Sequence, residues 1–174
     1  LGPGARGLLL MQVCRAVGAG PIFVTGLTRD ESFRLAMAKK MGADETINVA
    51  EDAAALSRYA AEKGQFDVLF ECSGNQHALR AAFDVVRPRG IIVQLGLSAG
   101  ELTLPFNTVV GKEFDIRGAF RFHEEFAVAV ALINQGLVDL KPLVSATLPY
   151  RDAGRAFALA ADRTQSMKVL LSFD

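Results

Sequence analysis

Gly2, Gly4 and Gly7 stand in the run Leu1-Gly2-Pro3-Gly4-Ala5-Arg6-Gly7, which leads straight into the apolar stretch Leu8-Leu9-Leu10-Met11-Gln12-Val13. The spacing is G-x-G-x-x-G, that of the strand-to-helix turn that seats a dinucleotide pyrophosphate. The first glycine permits the tight turn, the second lets the backbone approach the phosphates, and the third lets helix and strand pack closely. The anion would rest on free backbone N–H groups at the helix N-terminus, around Ala5, Arg6 and Gly7. Only Leu1 precedes the first glycine, so most of the strand that should enter the turn is absent. The central position beside the next strand is therefore expected to be open, or filled by something other than residues 1–174.

The next strand ends on Gly26-Leu27-Thr28-Arg29. A site for NAD usually places Asp or Glu there to hold the ribose 2′-hydroxyl. With glycine in that place no carboxylate repels a 2′-phosphate, and Thr28 and Arg29 could hold one through charge-assisted hydrogen bonds. Alternatively Arg29 is a solvated loop charge, and Asp30 or Glu31 only caps a helix. The expected cofactor is NADP or NAD, with NADP the first choice. Two further segments, Phe66-Asp67-Val68-Leu69-Phe70-Glu71-Cys72-Ser73-Gly74 and Arg87-Pro88-Arg89-Gly90-Ile91-Ile92-Val93-Gln94-Leu95-Gly96-Leu97, end strands on small residues. They would lie at the carboxyl edge of the sheet, where open α/β folds bind ligands. No metal-binding residues are expected. Cys14 and Cys72 lack C-x-x-C spacing, and neither His77 nor His123 has a ligand set at metal spacing. Cys72, at the end of a buried strand, reads as a packing residue rather than a nucleophile.

Alternating elements must position these groups. The spacing predicts helices over Ala5–Val17, Asp30–Met41, Ala53–Lys63, Asn75–Val86 and Glu124–Gln135. It predicts strands over Pro21–Thr25, Thr46–Val49, Phe66–Cys72, Ile91–Leu97 and Phe114–Ala119, with Pro88-Arg89-Gly90 a turn. Such alternation gives right-handed βαβ units and a parallel sheet covered on both faces. After Gly136 the rhythm changes to an extended segment Asp139–Tyr150, a helix Asp152–Ala161 and a strand Met167–Phe173. This tail is too small to fold alone, reads as part of a second domain, and is expected to pack poorly on the rest.

The chain has 174 residues, 51% of them hydrophobic, enough for one well-buried domain with a small appendage. Nineteen basic and 19 acidic residues cancel, with no basic stripe for nucleic acid. The apolar stretch near Phe126–Ile133 is too short for a bilayer, and the sparse cysteines fit a reduced cytoplasm.

These motifs, with Lys39-Lys40-Met41-Gly42-Ala43-Asp44, resemble the zinc-type medium-chain dehydrogenase/reductase superfamily, and within it the polyol branch of sorbitol, L-threonine and L-idonate dehydrogenases. The likeness continues through Gly111-Lys112-Glu113-Phe114-Asp115-Ile116-Arg117-Gly118-Ala119-Phe120-Arg121-Phe122 and Asp162-Arg163-Thr164-Gln165-Ser166-Met167-Lys168-Val169. These last two segments are most similar to the L-idonate 5-dehydrogenases.

The resemblance implies an α/β fold: a Rossmann-type doubly wound parallel sheet lacking most of its first strand, in a dinucleotide-binding domain at residues 1–138, with residues 139–174 a C-terminal segment of a catalytic domain. The whole reads as the second half of a longer enzyme that moves a hydride between NAD(P) and a secondary alcohol, polyol or sugar acid. By the same resemblance Leu95, Gly96, Leu97, Phe120, Arg121 and Phe122 would flank the nicotinamide and its ribose. Arg34 would lie near the adenosine, and Cys72 and Ser73 would border the adenine side. Arg121 would also approach a carboxylate substrate. No catalytic residue is expected in this chain, because such enzymes hold zinc in the upstream domain. Gly26 replaces the acid common in the sorbitol branch, which weighs against strict use of NAD.

Rival readings are a zinc-free quinone reductase of the same superfamily, a non-catalytic NAD(P)-binding regulatory module and, less well matched, a methyltransferase. The partners expected are a small-molecule substrate and further copies of the chain. An edge strand at Phe114–Ala119 would build a dimer or tetramer; in the alternative, Asp115 and Arg117 protect that edge.

Overall fold

The computed structural model describes residues 1–52 and 54–174. Helix α1 spans Ala5–Ala16 and turns Leu8 and Met11 inward, three residues apart on one face. Strand β1 (Phe23–Gly26), helix α2 (Ala36–Lys40), β2 (Glu45–Asn48), β3 (Phe66–Glu71), α3 (Gln76–Val85), β4 (Val86–Gln94), α4 (Phe106–Lys112), β5 (Asp115–Gly118) and α5 (Glu125–Asn134) follow. Strands β1 and β2 pair in parallel, as do β3 with β4 and β4 with β5, with Leu69 opposite Ile92 and Ile92 opposite Ile116. Because successive strand residues face opposite ways, the sheets feed two cores. Val24 packs with Leu8, Met11, Leu35 and Ala38; Ile47, Leu69 and Ile92 pack with Leu79, Ala82 and Phe83 of α3.

Among the described residues no strand fills the central position: β1–β2 and β3–β4–β5 are separate sheets, bridged by backbone hydrogen bonds at their carboxyl ends. Between β1 and β3, Leu1 donates its amine to the Phe70 carbonyl (2.6 Å) and accepts from Cys72 N–H (2.9 Å), while Gly2 N–H donates to Thr25 (3.1 Å). Leu1 and Gly2 thus stitch the two sheets at their carboxyl ends. At the amino ends of β1 and β3, the rings of Phe23, Phe66 and Tyr59 pack edge-on or tilted, with centroids 5.0–5.2 Å apart.

Some expectations need correction. The helix expected from Asp30 is a short 3-10 turn (Thr28–Asp30), a wide π-helical turn (Glu31–Leu35) and then α2. Buried Asp30 accepts from Leu27 N–H (3.0 Å) and tightens the entry. Ala53, the expected start of the next helix, lies outside the described residues; the remainder forms 3-10 turns over Ser57–Lys63. Ala61 is extended there, and Glu62 and Lys63 are left-handed (φ 55° and 72°). Tertiary contacts override helix propensity: the Tyr59 ring joins the aromatic cluster and its hydroxyl donates to Glu45 (2.9 Å).

The turn at Pro88–Gly90 survives as a bulge inside β4, where Phe66 pairs with Val86 but Val68 pairs with Ile91, and Arg89 has φ 59°. Helix α4 was not foreseen. Its Lys112 ammonium donates to the carbonyls of Phe83 (2.6 Å), Val86 (2.9 Å) and Asp84 (3.1 Å), satisfying the end of α3.

The tail comprises β6 (Val144–Pro149), α6 (Ala153–Ala161) and β7 (Lys168–Ser172), with β6 and β7 paired in parallel as a sheet of their own. Poor packing of the tail is not what the structure has at its roots. Leu143 is buried in the α1/α2 core, and the Gln12 amide exchanges hydrogen bonds with the Asp139 backbone (2.7 and 3.0 Å). Arg34 donates to the carbonyls of Arg163 (3.0 Å) and Ser166 (3.1 Å). The far side stays bare: Tyr150 and Phe173 stack in the open, and Phe157 is exposed.

Candidate functional site

Parallel strands bring their carboxyl ends to one edge, so the turns after Leu1, β1, β3, β4 and β5 meet there. Gly2 takes φ +92°, a left-handed value that suits glycine. A Cβ on Gly7 would run into the Gly2 carbonyl, so the third glycine is what lets α1 start this close to the turn. Gly4 is the helix N-cap and offers no side-chain acceptor, which leaves the first N–H groups of α1 free toward the edge. From α1 the Arg6 guanidinium reaches across to the Leu95 carbonyl (3.1 Å).

The turns after β3 and β4 close on each other around Glu71, whose side chain is fully buried. Its carboxylate accepts from the N–H groups of Ser73 (2.8 Å) and Gly74 (2.8 Å), from the Ser73 hydroxyl, and from the Gln94 amide (2.8 Å). Its backbone carbonyl accepts from Leu95 and Gly96 N–H, both at 2.8 Å. The fit is backbone against backbone: a Cβ on Gly96 would collide with Gly74 N and lie 2.6 Å from Glu71 Oε2. The sequence reading quoted Glu71 inside a motif but gave it no part. The signal was an acid closing an apolar run just before Ser-Gly.

At the end of β1, a Cβ on Gly26 would press on the side chains of Pro3 (2.9 Å), Leu35 (3.1 Å) and Asp30 (3.2 Å), so a side chain there requires these neighbours to shift. Thr28 and Arg29 lie exposed beyond it. Asn48, from the end of β2, holds its amide 3.3 Å from both Thr28 Oγ1 and Glu31 Oε2. A carboxylate therefore stands beside Thr28, although the strand itself ends on glycine, and sequence reasoning had treated Glu31 only as a helix cap. Arg34 Nη1 lies 3.9 Å from where a Gly4 Cβ would be, with its other nitrogens committed to the tail. Burial lowers its pKa; Asp30 opposes the shift, and the nearby Arg163 and Arg29 charges reinforce it.

Phe120 and Phe122 follow β5 with exposed rings; Arg121 lies over Phe120 (4.9 Å), and Phe122 packs on Phe126 (5.3 Å). The strand-end contact on this side is Ala119 N–H to the Gln94 carbonyl (3.0 Å). Burial pushes the Cys72 thiol pKa up, the opposite of what an activated nucleophile needs. Among the described residues no group of three or more His, Cys, Asp or Glu side chains is placed to hold a metal ion. His77 lies in the first turn of α3 and His123 just ahead of α5, both exposed.

The model of the zinc-binding dehydrogenase family matches residues 6–135. The chain belongs to that family. It is 37% identical over 172 residues to L-idonate 5-dehydrogenase (NAD(P)(+)) of Escherichia coli, covering 99% of this chain and 49% of the relative. To L-threonine 3-dehydrogenase of Shewanella oneidensis it is 34% identical, covering 99% of this chain and 50% of the relative. The crystal structure of the Escherichia coli L-idonate 5-dehydrogenase superposes with a TM-score of 0.90 at 37% identity, over 99% of this chain and 48% of that one. The chain spans about half the length of these relatives. The Rossmann-type reading of the α/β fold is upheld by that superposition. Among the described residues no helix is long and apolar enough to cross a membrane.

Proposed function

We propose that residues 1–138 bind NADP or NAD along the carboxyl edge, and that residues 139–174 belong to the catalytic domain of a cytoplasmic dehydrogenase. That enzyme would move a hydride between the nicotinamide and a secondary alcohol, polyol or sugar acid of the L-idonate kind. The observation that carries this reading is the uncapped start of α1 behind the Gly2–Gly7 turn, with the β3 and β4 turns closing beside it. The glycine turn fits a pyrophosphate because the start of α1 has no side-chain cap and Gly7, with no Cβ to strike the Gly2 carbonyl, lets the helix begin this close to the turn.

The coenzyme supplies the hydride acceptor or donor. The chain's own residues bind and orient it. Backbone N–H groups of Ala5, Arg6 and Gly7 face the pyrophosphate, and Thr28 and Arg29 face the ribose or its 2′-phosphate. Arg34, Cys72 and Ser73 border the adenosine. Leu95, Gly96 and Leu97 with Phe120 and Phe122 line the nicotinamide side, and Arg121 offers a cation to a substrate carboxylate. Among the described residues no group of three or more His, Cys, Asp or Glu side chains is placed to hold zinc. Polarising the substrate oxygen is therefore not assigned to these residues, and we place that metal outside residues 1–174.

Gly26, Thr28 and Arg29 favour NADPH, while Glu31 adds a negative charge beside Thr28. The balance of these groups gives a site that accepts either coenzyme, with NADPH bound at least as tightly as NADH. Parallel fluorescence titrations of the full-length protein check this; binding of neither coenzyme would remove the reading.

We also propose a homo-oligomer, a dimer or tetramer, built on β5. Its outer side has no strand partner among the described residues, Ile116 of that strand is 37% exposed, and α5, the next helix along the chain, has Phe126 and Val128 at 58% and 60% exposure. Proline at Ile116 should then dissociate the assembly in sedimentation, and an unchanged oligomer would rule out this edge.

A further inference from the structure

Glu71 has no side-chain exposure, yet it touches no cation. A buried acid of this kind is costly unless donors surround it. Here they do, and every one of them belongs to a turn at the ligand edge or to the strand that carries one. Ser73 N–H, Ser73 Oγ and Gly74 N–H come from the β3 turn; the Gln94 amide comes from the last residue of β4. The same Gln94 amide also donates to the Gly96 carbonyl (2.6 Å), so Glu71, Gln94 and Gly96 form one chain of bonds between the turns. Leu95, whose carbonyl receives Arg6 from the glycine turn, hangs from the Glu71 backbone. The three turns therefore share one polar centre. Gln94 Oε1 is buried with no donor, so the amide is held in place by its Nε2 bonds alone.

We propose that Glu71 is a positioning residue for the coenzyme: it fixes the spacing of the Ser73-Gly74 and Leu95-Gly96-Leu97 turns against the glycine turn, so that their backbone groups meet adenosine and nicotinamide ribose in register. This rests on the coenzyme-binding reading above. Glu71 itself does not touch the coenzyme; it acts through the turns. In Glu71→Gln the carboxamide NH2 replaces one acceptor oxygen and faces N–H donors, so the turns part while the apolar core around Phe83 and Ile92 stays filled.

The test is coenzyme affinity in the full-length protein, measured by NADPH and NADH fluorescence titration well below the melting temperature, for wild type, Glu71→Gln, Gln94→Met and Phe83→Leu. Phe83 is a core residue 1% exposed, with no bond to either turn, and serves as the destabilised control. The expected result is a coenzyme Kd raised at least tenfold in Glu71→Gln and several-fold in Gln94→Met, with Phe83→Leu near wild type despite its lower melting temperature. An unchanged Kd in Glu71→Gln, or a rise matched by Phe83→Leu, overturns the inference. If Glu71→Gln does not fold, Gln94→Met decides: a several-fold loss supports the inference and wild-type affinity overturns it. Wild-type protein that binds neither coenzyme fails the coenzyme reading itself, and the inference falls with it.

Discussion

Two carboxylates anchor opposite ends of two neighbouring parallel sheets, by different means. Glu71, at the carboxyl end of β3, is sealed from solvent and gathers backbone donors from turns that cross in front of it. Asp44, just before β2 at the amino end, is exposed; it accepts from Ile22 N–H (2.7 Å) and pairs with Arg15, while its carbonyl receives Lys39 (2.6 Å). Each ties together several elements. Water can replace the partners of Asp44, so its ion pair contributes little. It cannot reach Glu71, so loss of that carboxylate strands its donors. The difference marks which edge is built to hold a shape against a ligand and which only closes the fold.

The largest expected effect is at the buried end. Glu71→Ala leaves the Gly74 N–H and one of the two Gln94 amide hydrogens without an acceptor, at a cost of about 1–3 kcal/mol for each buried donor. Urea denaturation should show the loss, and no resolvable change would put Glu71 on a par with the exposed Asp44. Next is Arg29→Ala, which should weaken NADPH by about 1.5–3 kcal/mol and leave NADH nearly unchanged. Equal loss of both in competitive titration would make Arg29 a general charge rather than a 2′-phosphate partner. Glu31→Gln, which removes the carboxylate beside Thr28, should shift preference further toward NADPH in the same assay.

The smallest effect is at Asp44. The Ile22 N–H bond first, and Arg15 second, hold its carboxyl below the usual carboxylate range. A carboxyl whose folded pKa lies below the unfolded value of about 3.9 stabilises the fold above that value and loses the contribution as pH falls through the folded pKa. Melting temperatures of wild type and Asp44→Asn should therefore differ slightly near neutrality and converge as the pH falls below the usual carboxylate range. A gap that persists in acid would contradict the ionised role.

The order of strands and helices was legible because apolar periods of two and of three to four alternate cleanly from Leu8 to Ile133. The Gly2–Gly7 turn was legible because its spacing is local. Glu71 was not: Phe66–Cys72 carries two acids, Asp67 and Glu71, nothing local sets the second apart, and the Gln94 donor arrives from a strand that only tertiary folding brings near. The Ser57–Lys63 segment misled because its alanines favour a helix, while Tyr59 and Gly64 are claimed by β1, β3 and Val86. Helix α4 was missed because a seven-residue amphipathic stretch after Pro105 carries little periodic signal. The docking of the tail depends on Leu143 and on Arg34, far apart in sequence, and no local pattern announces that pair.

Hydrogen–deuterium exchange of the full-length protein with and without saturating NADPH tests the central claim most directly, because it reads both ends of the sheets at once. The expected result is slowed exchange in residues 2–8, 72–76 and 94–98, with residues 21–23 and 42–45 unchanged. No protection at the carboxyl-edge turns, or equal protection at both ends, would contradict a coenzyme site built around the glycine turn and Glu71.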